Sequence, residues 1–245
     1  MKKKLYIFYR ISDAGYKKEK PDYINNESCL KNAVQCFPPK DVNWKVIADN
    51  CCDNTLKMIE TYIDEKNIMK VSIGDGAGTF NLALDKAIEL DDDAWVYFIE
   101  NDYVHKAESN KILCEALSSG LADYVTLYDH PDKYINSEYG GNPYVELNGE
   151  ISRVCVTKSC HWKTTNSTTM TFATTIKFLK RDKPIWKKWT ATKHPNDFEA
   201  FIELYGLERF LISPMPGYST HGETKWLSLF TNWRDMLEGD KNEEQ

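Results

Sequence analysis

Short runs of β-branched and aromatic residues alternate with amphipathic stretches through the first half of this chain, and this alternation limits the folds open to it. The runs predicted as strands lie at 5–9, 44–48, 69–73, 95–99 and 124–127. The helices predicted between them lie at 27–36, 54–64, 79–90 and 109–117. Strands and helices in regular succession are typical of a parallel sheet with helices on both faces. The first half therefore predicts an α/β fold.

The alternation ends near Tyr128. Residues 128–145 are rich in Pro, Gly, Asn and Tyr, which predicts a long functional loop or a short hairpin over the sheet edge. Later segments predict strands at 152–157, 169–173 and 210–212, a helix that contains Trp186 and Trp189, and a helix that begins at Asp197. Because 245 residues with 42% hydrophobic content can bury one large core, we predict a single domain over 1–240. A C-terminal helix and a polar tail are expected over 224–245.

The charge of the chain is unevenly distributed. It has 31 basic and 37 acidic residues, so its net charge of −6 argues against general attraction to polyanions. The segment 153–193 is the exception, because it contains ten basic residues and a single acid, Asp182. The ten are Arg153, Lys158, Lys163, Lys177, Lys180, Arg181, Lys183, Lys187, Lys188 and Lys193.

The sequence gives no sign of an export signal or a membrane span. The apolar run after the N-terminal lysines is too short for a signal peptide, and no stretch approaches the roughly 18 apolar residues that a span needs. The seven cysteines are an odd number and form no C-x-x-C motif, which favours reduced structural thiols over disulfides or a zinc site. We therefore expect a soluble, cytoplasmic protein.

A hydrophobic strand ends in two carboxylates two residues apart. Residues 95–99 are followed by Glu100, Asn101 and Asp102. At the carboxyl end of a parallel strand such groups face the crevice in which α/β sheets bind ligands. Two neighbouring carboxylates stay ionised only if a cation offsets them, and hard oxygen ligands suit Mg²⁺ or Mn²⁺ bridging a diphosphate. A solvated acidic turn is the alternative interpretation, because acid-x-acid triplets are common.

Two further segments supply groups that suit a nucleotide. Asp49 directly follows the strand predicted at 44–48 and is placed to accept hydrogen bonds from a base or a ribose, whereas Asp53 is placed to cap the next helix. The glycine-rich loop 74–78 comes before an amphipathic helix and would let a phosphate approach the backbone. A simple turn is the other interpretation of this loop.

In order and spacing, residues 4–105 resemble the inverting family 2 glycosyltransferases of GT-A fold. The resemblance rests on the strand-end run 48–55, the glycine-rich loop with its helix, and the triplet Glu100-Asn101-Asp102. Two departures are visible: Glu100 stands where the family commonly has Asp, and the loop lacks the family's usual Ala-Arg-Asn run. The resemblance implies a GT-A (Rossmann-like) mixed sheet in which residues 1–127 bind a nucleotide sugar and residues 128–223 bind the acceptor.

The resemblance also implies roles for the matched residues. Asp49 would hold the nucleotide base, with Tyr9 and Arg10 lining the same pocket from the first strand. The full set expected to contact the nucleotide sugar is Tyr9, Arg10, Asp49, Gly76, Gly78, Glu100 and Asn101. Asp102, with Glu100, would bind Mn²⁺ or Mg²⁺, and His221, which follows a strand and a rigid turn, stands where many GT-A enzymes have a third metal ligand.

The second half supplies a candidate general base and a candidate acceptor region. Asp197 begins a helix at the position from which GT-A enzymes take the acceptor proton, with Glu199 as the alternative, although a helix-cap role fits Asp197 equally. Attack from the face opposite the leaving diphosphate would invert the anomeric centre. The basic segment 153–193 would then meet the acceptor, either a glycan or a hydroxymethylated DNA base. A helix with a solvated lysine face and buried tryptophans is the alternative.

Two other functions remain open at this stage. The first is a GT-A-like module that binds a nucleotide or a glycan without transfer. The second is a nucleotidyltransferase, which shares the sheet and the acidic metal site, but residues 10–15 lack the usual glycine-rich, Arg/Lys-bearing loop of that class. Family 2 resemblance extends to bacterial surface-polysaccharide and phage gene sets, so we expect the cytoplasm of a bacterium or of a virus-infected cell.

Overall fold

The computed structural model describes residues 3–15, 18–144 and 151–238. Its strands are β1 (Leu5–Ser12), β2 (Asn43–Asp49), β3 (Ile68–Val71), β4 (Trp95–Glu100), β5 (Tyr103–His105), β6 (Tyr124–Val125), β7 (Val154–Val156), β8 (His161–Thr165), β9 (Phe172–Thr175), β10 (Leu211–Met215) and β11 (Ser219–His221). Its α-helices are α1 (Asn26–Cys36), α2 (Asp53–Glu60), α3 (Gly76–Ala87), α4 (Ser109–Ser119), α5 (Ile176–Trp189), α6 (Asp197–Gly206) and α7 (Asp235–Glu238). The predicted polar tail from 239 onwards lies outside the described residues.

A single mixed sheet of nine strands organises the molecule, in the order β3-β2-β1-β4-β9-β6-β10-β8-β7. The first four of these strands are parallel, as the alternation of the first half predicts. Strand β9 is antiparallel to both β4 and β6, and β8 and β7 continue the sheet in antiparallel pairs beyond β10. The expectation of one α/β domain with a mixed sheet flanked by helices is confirmed.

Each face of the sheet carries its own hydrophobic core. Alternate residues of β1 point to opposite faces: Ile7 and Tyr9 pack with α1, α2 and α4, whereas Phe8 packs with α3, α5 and α6. The second core contains stacked rings of Phe172 and Trp186, whose centroids are 4.6 Å apart. Because helices cover both faces of the sheet, a ligand-binding site is expected at the ends of the parallel strands.

The second half departs from the prediction in its strands. The strand predicted at 169–173 begins three residues later, because Thr169 and Met170 have left-handed backbone angles (φ 43° and 57°). Strand β8 was not predicted. The part of 128–145 that the structure describes, up to 144, forms two 3₁₀ turns, Pro131–Lys133 and Ser137–Tyr139, and not a hairpin.

No helix among the described residues is both long enough and apolar enough to cross a membrane. The seven cysteines are all free thiols in the structure.

Candidate active site

A cleft of about 410 Å³ lies at the carboxyl ends of β1, β2 and β4. The cleft lies where parallel α/β sheets bind ligands, because the side chains and loops that follow these strands all converge there. Of the residues predicted to contact a nucleotide sugar, five line it: Arg10, Asp49, Gly76, Glu100 and Asn101. Asp102, predicted as a metal ligand, also lines it.

The three predicted metal ligands come together beside this cleft. Ligand atoms of Glu100, Asp102 and His221 all lie within 4.8 Å of one another. The short sheet formed by β5 and β11 brings His221 there, because His221 pairs with Tyr103, the residue after Asp102. The next residue, Gly222, packs against the backbone of Asp102, and a Cβ atom at this position would lie 2.7 Å from the carbonyl oxygen of Asp102.

Cationic side chains surround the acidic groups. Arg10 donates to Oε1 of Glu100 at 3.0 Å, and the Nζ atom of Lys20 lies 2.9 Å from Oδ2 of Asp102. Burial would raise the pKa of Asp102, but His221 and Lys20 hold that pKa well below its ordinary value. Burial raises the pKa of Glu100, against the opposing charge of Arg10. The two carboxylates therefore differ in proton affinity, and Asp102 is the one that stays ionised.

These residues fit a divalent cation. Oδ1 of Asp102 is buried and has no hydrogen-bond partner among the described residues, and Nε2 of His221 lies 3.3 Å from Oδ2 of the same carboxylate. Buried polar atoms in folded proteins are nearly always paired, so such atoms mark a place for a missing partner. Two carboxylates and one imidazole suit Mn²⁺, and the carboxylates alone suit Mg²⁺.

Asp49 has partners within the protein. Its two carboxylate oxygens accept the backbone N–H groups of Ile73 at 2.6 Å and Gly74 at 2.9 Å. Gly74 has a φ of +87°, a conformation that favours glycine. Asp49 therefore shapes the glycine-rich loop, and the base contact predicted for it stays a prediction.

Two residues predicted for the nucleotide site do not line the cleft. Tyr9 is completely buried in the core on the α1 side of the sheet, where its ring packs 5.9 Å from that of Trp44. Gly78 lies inside the first turn of α3, where its N–H donates to the capping carboxylate of Asp75 at 2.7 Å. A Cβ atom on Gly78 would approach Ile73 to 2.4 Å, so close packing of the turn explains this glycine.

The cap of α2 also differs from the prediction. Asp53 is the first residue of the helix, and the N-cap position belongs to Cys52, without a side-chain cap bond. The carboxylate of Asp13, from the loop after β1, accepts the N–H of Cys52 at 2.7 Å and the hydroxyl of Thr55 at 2.8 Å. The spacing of residues in the sequence does not reveal a helix cap that a distant segment supplies.

Sequence reasoning also missed two lysines. Lys18 and Lys20, from the loop between β1 and α1, line the cleft, and the Nζ atom of Lys18 lies 3.3 Å from Nε2 of His221. The only sequence signal was the run Lys17-Lys18-Glu19-Lys20 soon after a strand, which an exposed loop explains equally well. These lysines add positive charge beside the acidic triad.

Asp197 lies on a second cavity, of about 440 Å³. It is the first residue of α6, and Asn196 holds the N-cap position. Oδ2 of Asp197 accepts the hydroxyl of Thr168 at 2.6 Å and the N–H of Met170 at 3.0 Å. The carbonyl of Met170 in turn accepts from Arg10 at 3.4 Å, so the turn 168–170 contacts both Asp197 and a residue that lines the first cleft. Glu199 is exposed and lines neither cavity.

Much of the predicted basic segment is paired with the protein's own acids. Lys183 and Lys187 bind Asp85, and Lys180 binds Asp92, which precedes β4 at the sheet edge opposite the cleft. Two more pairs are Lys188 with Glu203 and the buried Lys163 with Asp129. Trp186 is fully buried. The structure thus agrees with the alternative of a lysine-faced helix with a tryptophan turned to the core.

A parallel half-sheet that ends in an acidic cleft, extended by an antiparallel half that carries a second cavity, defines a GT-A-type (Rossmann-like) fold. Solved structures that share it include the following two. TarS of S. aureus, a GT-A glycosyltransferase, was solved as residues 1–349; it matches with a TM-score of 0.50 and 15% identity over 86% of this chain and 57% of that one. The 2-C-methyl-D-erythritol 4-phosphate cytidylyltransferase (IspD) of Francisella tularensis matches with a TM-score of 0.50 and 16% identity, over 96% and 97%.

This chain therefore spans a little over half the length of the TarS fragment. At such low identity the likeness establishes the fold that the chain shares with both classes of transferase. No protein-family model matches the chain, and no curated protein matches it in sequence.

Proposed function

We propose that this protein is a metal-dependent, inverting glycosyltransferase that moves a sugar from a nucleoside-diphosphate sugar, with UDP as the first nucleotide to test, to a hydroxyl acceptor. The observation that carries the proposal is the convergence of Glu100, Asp102 and His221 beside the cleft. These residues come from two distant segments, the triplet at the end of β4 and the strand β11. A carboxylate pair with an imidazole suits a cation that binds a diphosphate.

The cleft supplies the groups that such a donor needs. Asp102, Glu100 and His221 would hold Mn²⁺ or Mg²⁺, which neutralises charge on a departing diphosphate. Lys18 and Lys20 lie beside the triad and can bind phosphate oxygens. Positive groups that are already in place stabilise developing negative charge without reorganisation, which is the largest source of catalysis in reactions of this kind.

Asp197 is suited to the role of general base. Its Oδ2 is anchored by Thr168 and Met170, while its Oδ1 makes no hydrogen bond with any described residue. In the proposed step Oδ1 accepts the proton of the acceptor hydroxyl, and the acceptor oxygen forms a bond to the anomeric carbon. The bond from that carbon to the diphosphate oxygen breaks on the opposite face, and the configuration inverts.

The test is release of nucleoside diphosphate from a panel of nucleotide sugars, with and without Mn²⁺. Thermal-shift measurements on the same panel identify the donor first, because a ligand that binds the folded state raises the melting temperature. We expect Asp102→Asn to abolish metal-dependent stabilisation and Asp197→Asn to lower turnover by roughly 100-fold or more. Glu199→Gln, two residues along the same helix, is the matched control and keeps full turnover. Undiminished turnover in Asp102→Asn would disprove the metal assignment.

A nucleotidyltransferase is the second candidate, favoured by Lys18 and Lys20 at the start of the cleft. Pyrophosphate added to the same nucleotide sugars separates the two functions. A nucleotidyltransferase forms nucleoside triphosphate and sugar phosphate, whereas a glycosyltransferase releases nucleoside diphosphate and forms no triphosphate. Binding of a nucleotide sugar without either product identifies the third alternative, a non-catalytic binding module.

A further inference from the structure

The second cavity contains polar groups that the proposed transfer step does not use. Its walls include His130, Asp132 and Asn142 from the segment after β6, together with Phe198 and Trp226. Asp197 lies on the same cavity, so a molecule bound there would present its hydroxyl groups to the proposed base. The chemistry of these walls therefore limits what the acceptor can be.

Asp132 has one carboxylate oxygen that lacks a hydrogen-bond donor. The residue is only 8% exposed, and its Oδ2 accepts from Ser167 Oγ at 2.7 Å and from Asn142 Nδ2 at 3.2 Å. Nδ1 of His130 lies 3.2 Å from Oδ1 and accepts the backbone N–H of Asp132 at 3.0 Å. Oδ1 has no hydrogen-bond partner among the described residues. A hydroxyl of a bound molecule would satisfy it.

The charge of the cavity opposes a phosphate-bearing acceptor. The described residues that line it include two carboxylates, Asp132 and Asp197, and no lysine or arginine. Lys225 lies close by, over the ring of Trp226, and its Nζ atom donates to the carbonyl of Tyr139 at 2.8 Å. Proteins that bind nucleic acids line the path of the phosphates with Lys and Arg, which are missing from the described part of these walls.

We propose that the second cavity binds an uncharged sugar as the acceptor, with Oδ1 of Asp132 accepting a hydrogen bond from one of its hydroxyls. Hydroxyl groups pair with carboxylate and amide oxygens, and the apolar face of a sugar ring packs on aromatic walls such as Trp226 and Phe198. This inference rests on the proposed glycosyltransferase function and selects the glycan from the two acceptor classes open at the sequence level.

The experiment is saturation-transfer-difference NMR on the intact protein without donor. The probes are neutral methyl glycosides of glucose, galactose, mannose and N-acetylglucosamine, with a duplex oligonucleotide that contains 5-hydroxymethylcytosine as the anionic comparison. We expect at least one glycoside to bind, and the oligonucleotide to give no binding at physiological salt. Binding of the oligonucleotide but of none of the glycosides would overturn the proposal.

Variants then locate the site. We expect Asp132→Asn and Trp226→Leu each to weaken glycoside binding at least fivefold. Asp92→Asn, an exposed carboxylate at the opposite edge of the sheet, is the matched control and binds as the unaltered protein does. Thermal melting identifies any variant that has lost its fold. Because Trp226 is only partly buried, its variant tests the site even if Asp132→Asn fails to fold. Unchanged glycoside binding in both folded variants refutes the assignment.

Donor binding separates the failure of this inference from the failure of the proposed function. If the protein binds and hydrolyses a nucleotide sugar but binds no glycoside, the proposed function stands and this inference fails. If the protein binds glycosides at this cavity but binds no nucleotide sugar, the proposed function is refuted. The cavity is then a sugar-binding site without a role in transfer.

Discussion

Lys20 occupies the position of a counter-ion to Asp102, with its Nζ atom 2.9 Å from Oδ2. The side chain of Asp102 is about 10% exposed, so an uncompensated charge there would be costly. A divalent cation at the triad would compete with Lys20 for this carboxylate. The lysine then becomes available for a phosphate group, which couples metal binding to donor binding through one side chain.

Replacing Lys20 should therefore strengthen metal binding by the free protein. We expect Lys20→Met to lower the dissociation constant for Mn²⁺ by roughly fivefold, because an ion pair worth about 1 kcal/mol no longer has to be broken. Electron paramagnetic resonance of free Mn²⁺ measures this without donor or turnover. Lys180→Met, which removes a lysine paired with Asp92 on the far edge of the sheet, is the control. Weaker Mn²⁺ binding by Lys20→Met would mean that Lys20 does not compete for the site.

Asp49 offers a second test at a single residue. Both of its oxygens accept N–H groups from the glycine-rich loop, so Asp49→Asn exchanges one acceptor for an NH₂ donor. We expect faster hydrogen exchange at the amides of Ile73 and Gly74, with the amides of β2 unchanged. Equal exchange rates in the two proteins would indicate that the carboxylate has no part in holding the loop.

At the level of elements, the two-stranded sheet of β5 and β11 decides the geometry of the triad. It aligns His221 with Tyr103, and it does so with only three residues in each strand. Gly222 permits this alignment, because a Cβ there would lie 2.6 Å from a methyl group of Ile24 and 2.7 Å from the Asp102 carbonyl. The carbonyl belongs to the backbone and cannot rotate away.

Gly222→Ala should therefore separate the two strands. We expect a loss of about 1–3 kcal/mol in the free energy of unfolding, as for other overpacked sites, and weaker Mn²⁺ binding. Gly206→Ala is the matched control: Gly206 ends α6 with open space around it, so alanine there should be neutral or stabilising by up to about 1 kcal/mol. Chemical denaturation of both variants gives the comparison, and equal stabilities would contradict the packing argument.

For the molecule as a whole, the buried His105 makes stability depend on pH. Its ring lies between Phe37 and Tyr97, and its Nε2 pairs with the Tyr97 hydroxyl at 3.0 Å. Burial lowers the pKa of His105 from 6.5 to about 3. Between pH 6.5 and about pH 3 the unfolded chain binds a proton at His105, whereas the folded protein does not. The stabilising contribution is therefore complete above pH 6.5 and is lost as the pH falls from 6.5 to 3.

His105→Gln removes this titration. We expect the difference in unfolding free energy between the unaltered protein and the variant to shrink by up to about 1.4 kcal/mol per pH unit below pH 6. Urea denaturation of both proteins between pH 4.5 and 7.5 measures it, and taking the difference removes the contribution of the acidic residues that the two proteins share. Parallel pH profiles would refute the burial argument.

The parallel half could be predicted because its strands and helices are each long enough to carry a pattern. Strand β8 was missed because His161–Thr165 mixes polar and apolar residues, and β5 and β11 because three residues carry no period. These three segments form strands because they pair with neighbouring strands, and only the tertiary fold brings those neighbours together.

The acidic triplet was singled out by its chemistry, and His221 by the family resemblance. Nothing in the sequence pointed to Lys18 and Lys20, because the path of a loop decides which groups these lysines reach. Tyr9 and Arg10 are neighbours in one strand and must point to opposite faces, so both could not line one pocket. Arg10 faces the cleft, and Tyr9 is fully buried on the other side of the sheet.

The position of β9 beside β4 has a consequence for synthesis of the chain. During translation, β4 has its partner β1 as soon as residue 100 emerges, but its other edge has no neighbour until residue 175 has left the ribosome. For that interval a nascent chain displays an unpaired, aromatic strand, which is the kind of surface that chaperones bind and that aggregates form on. We expect ribosome-bound chains from which residue 175 has not yet emerged to bind chaperones, and chains from which β9 has emerged to bind them less.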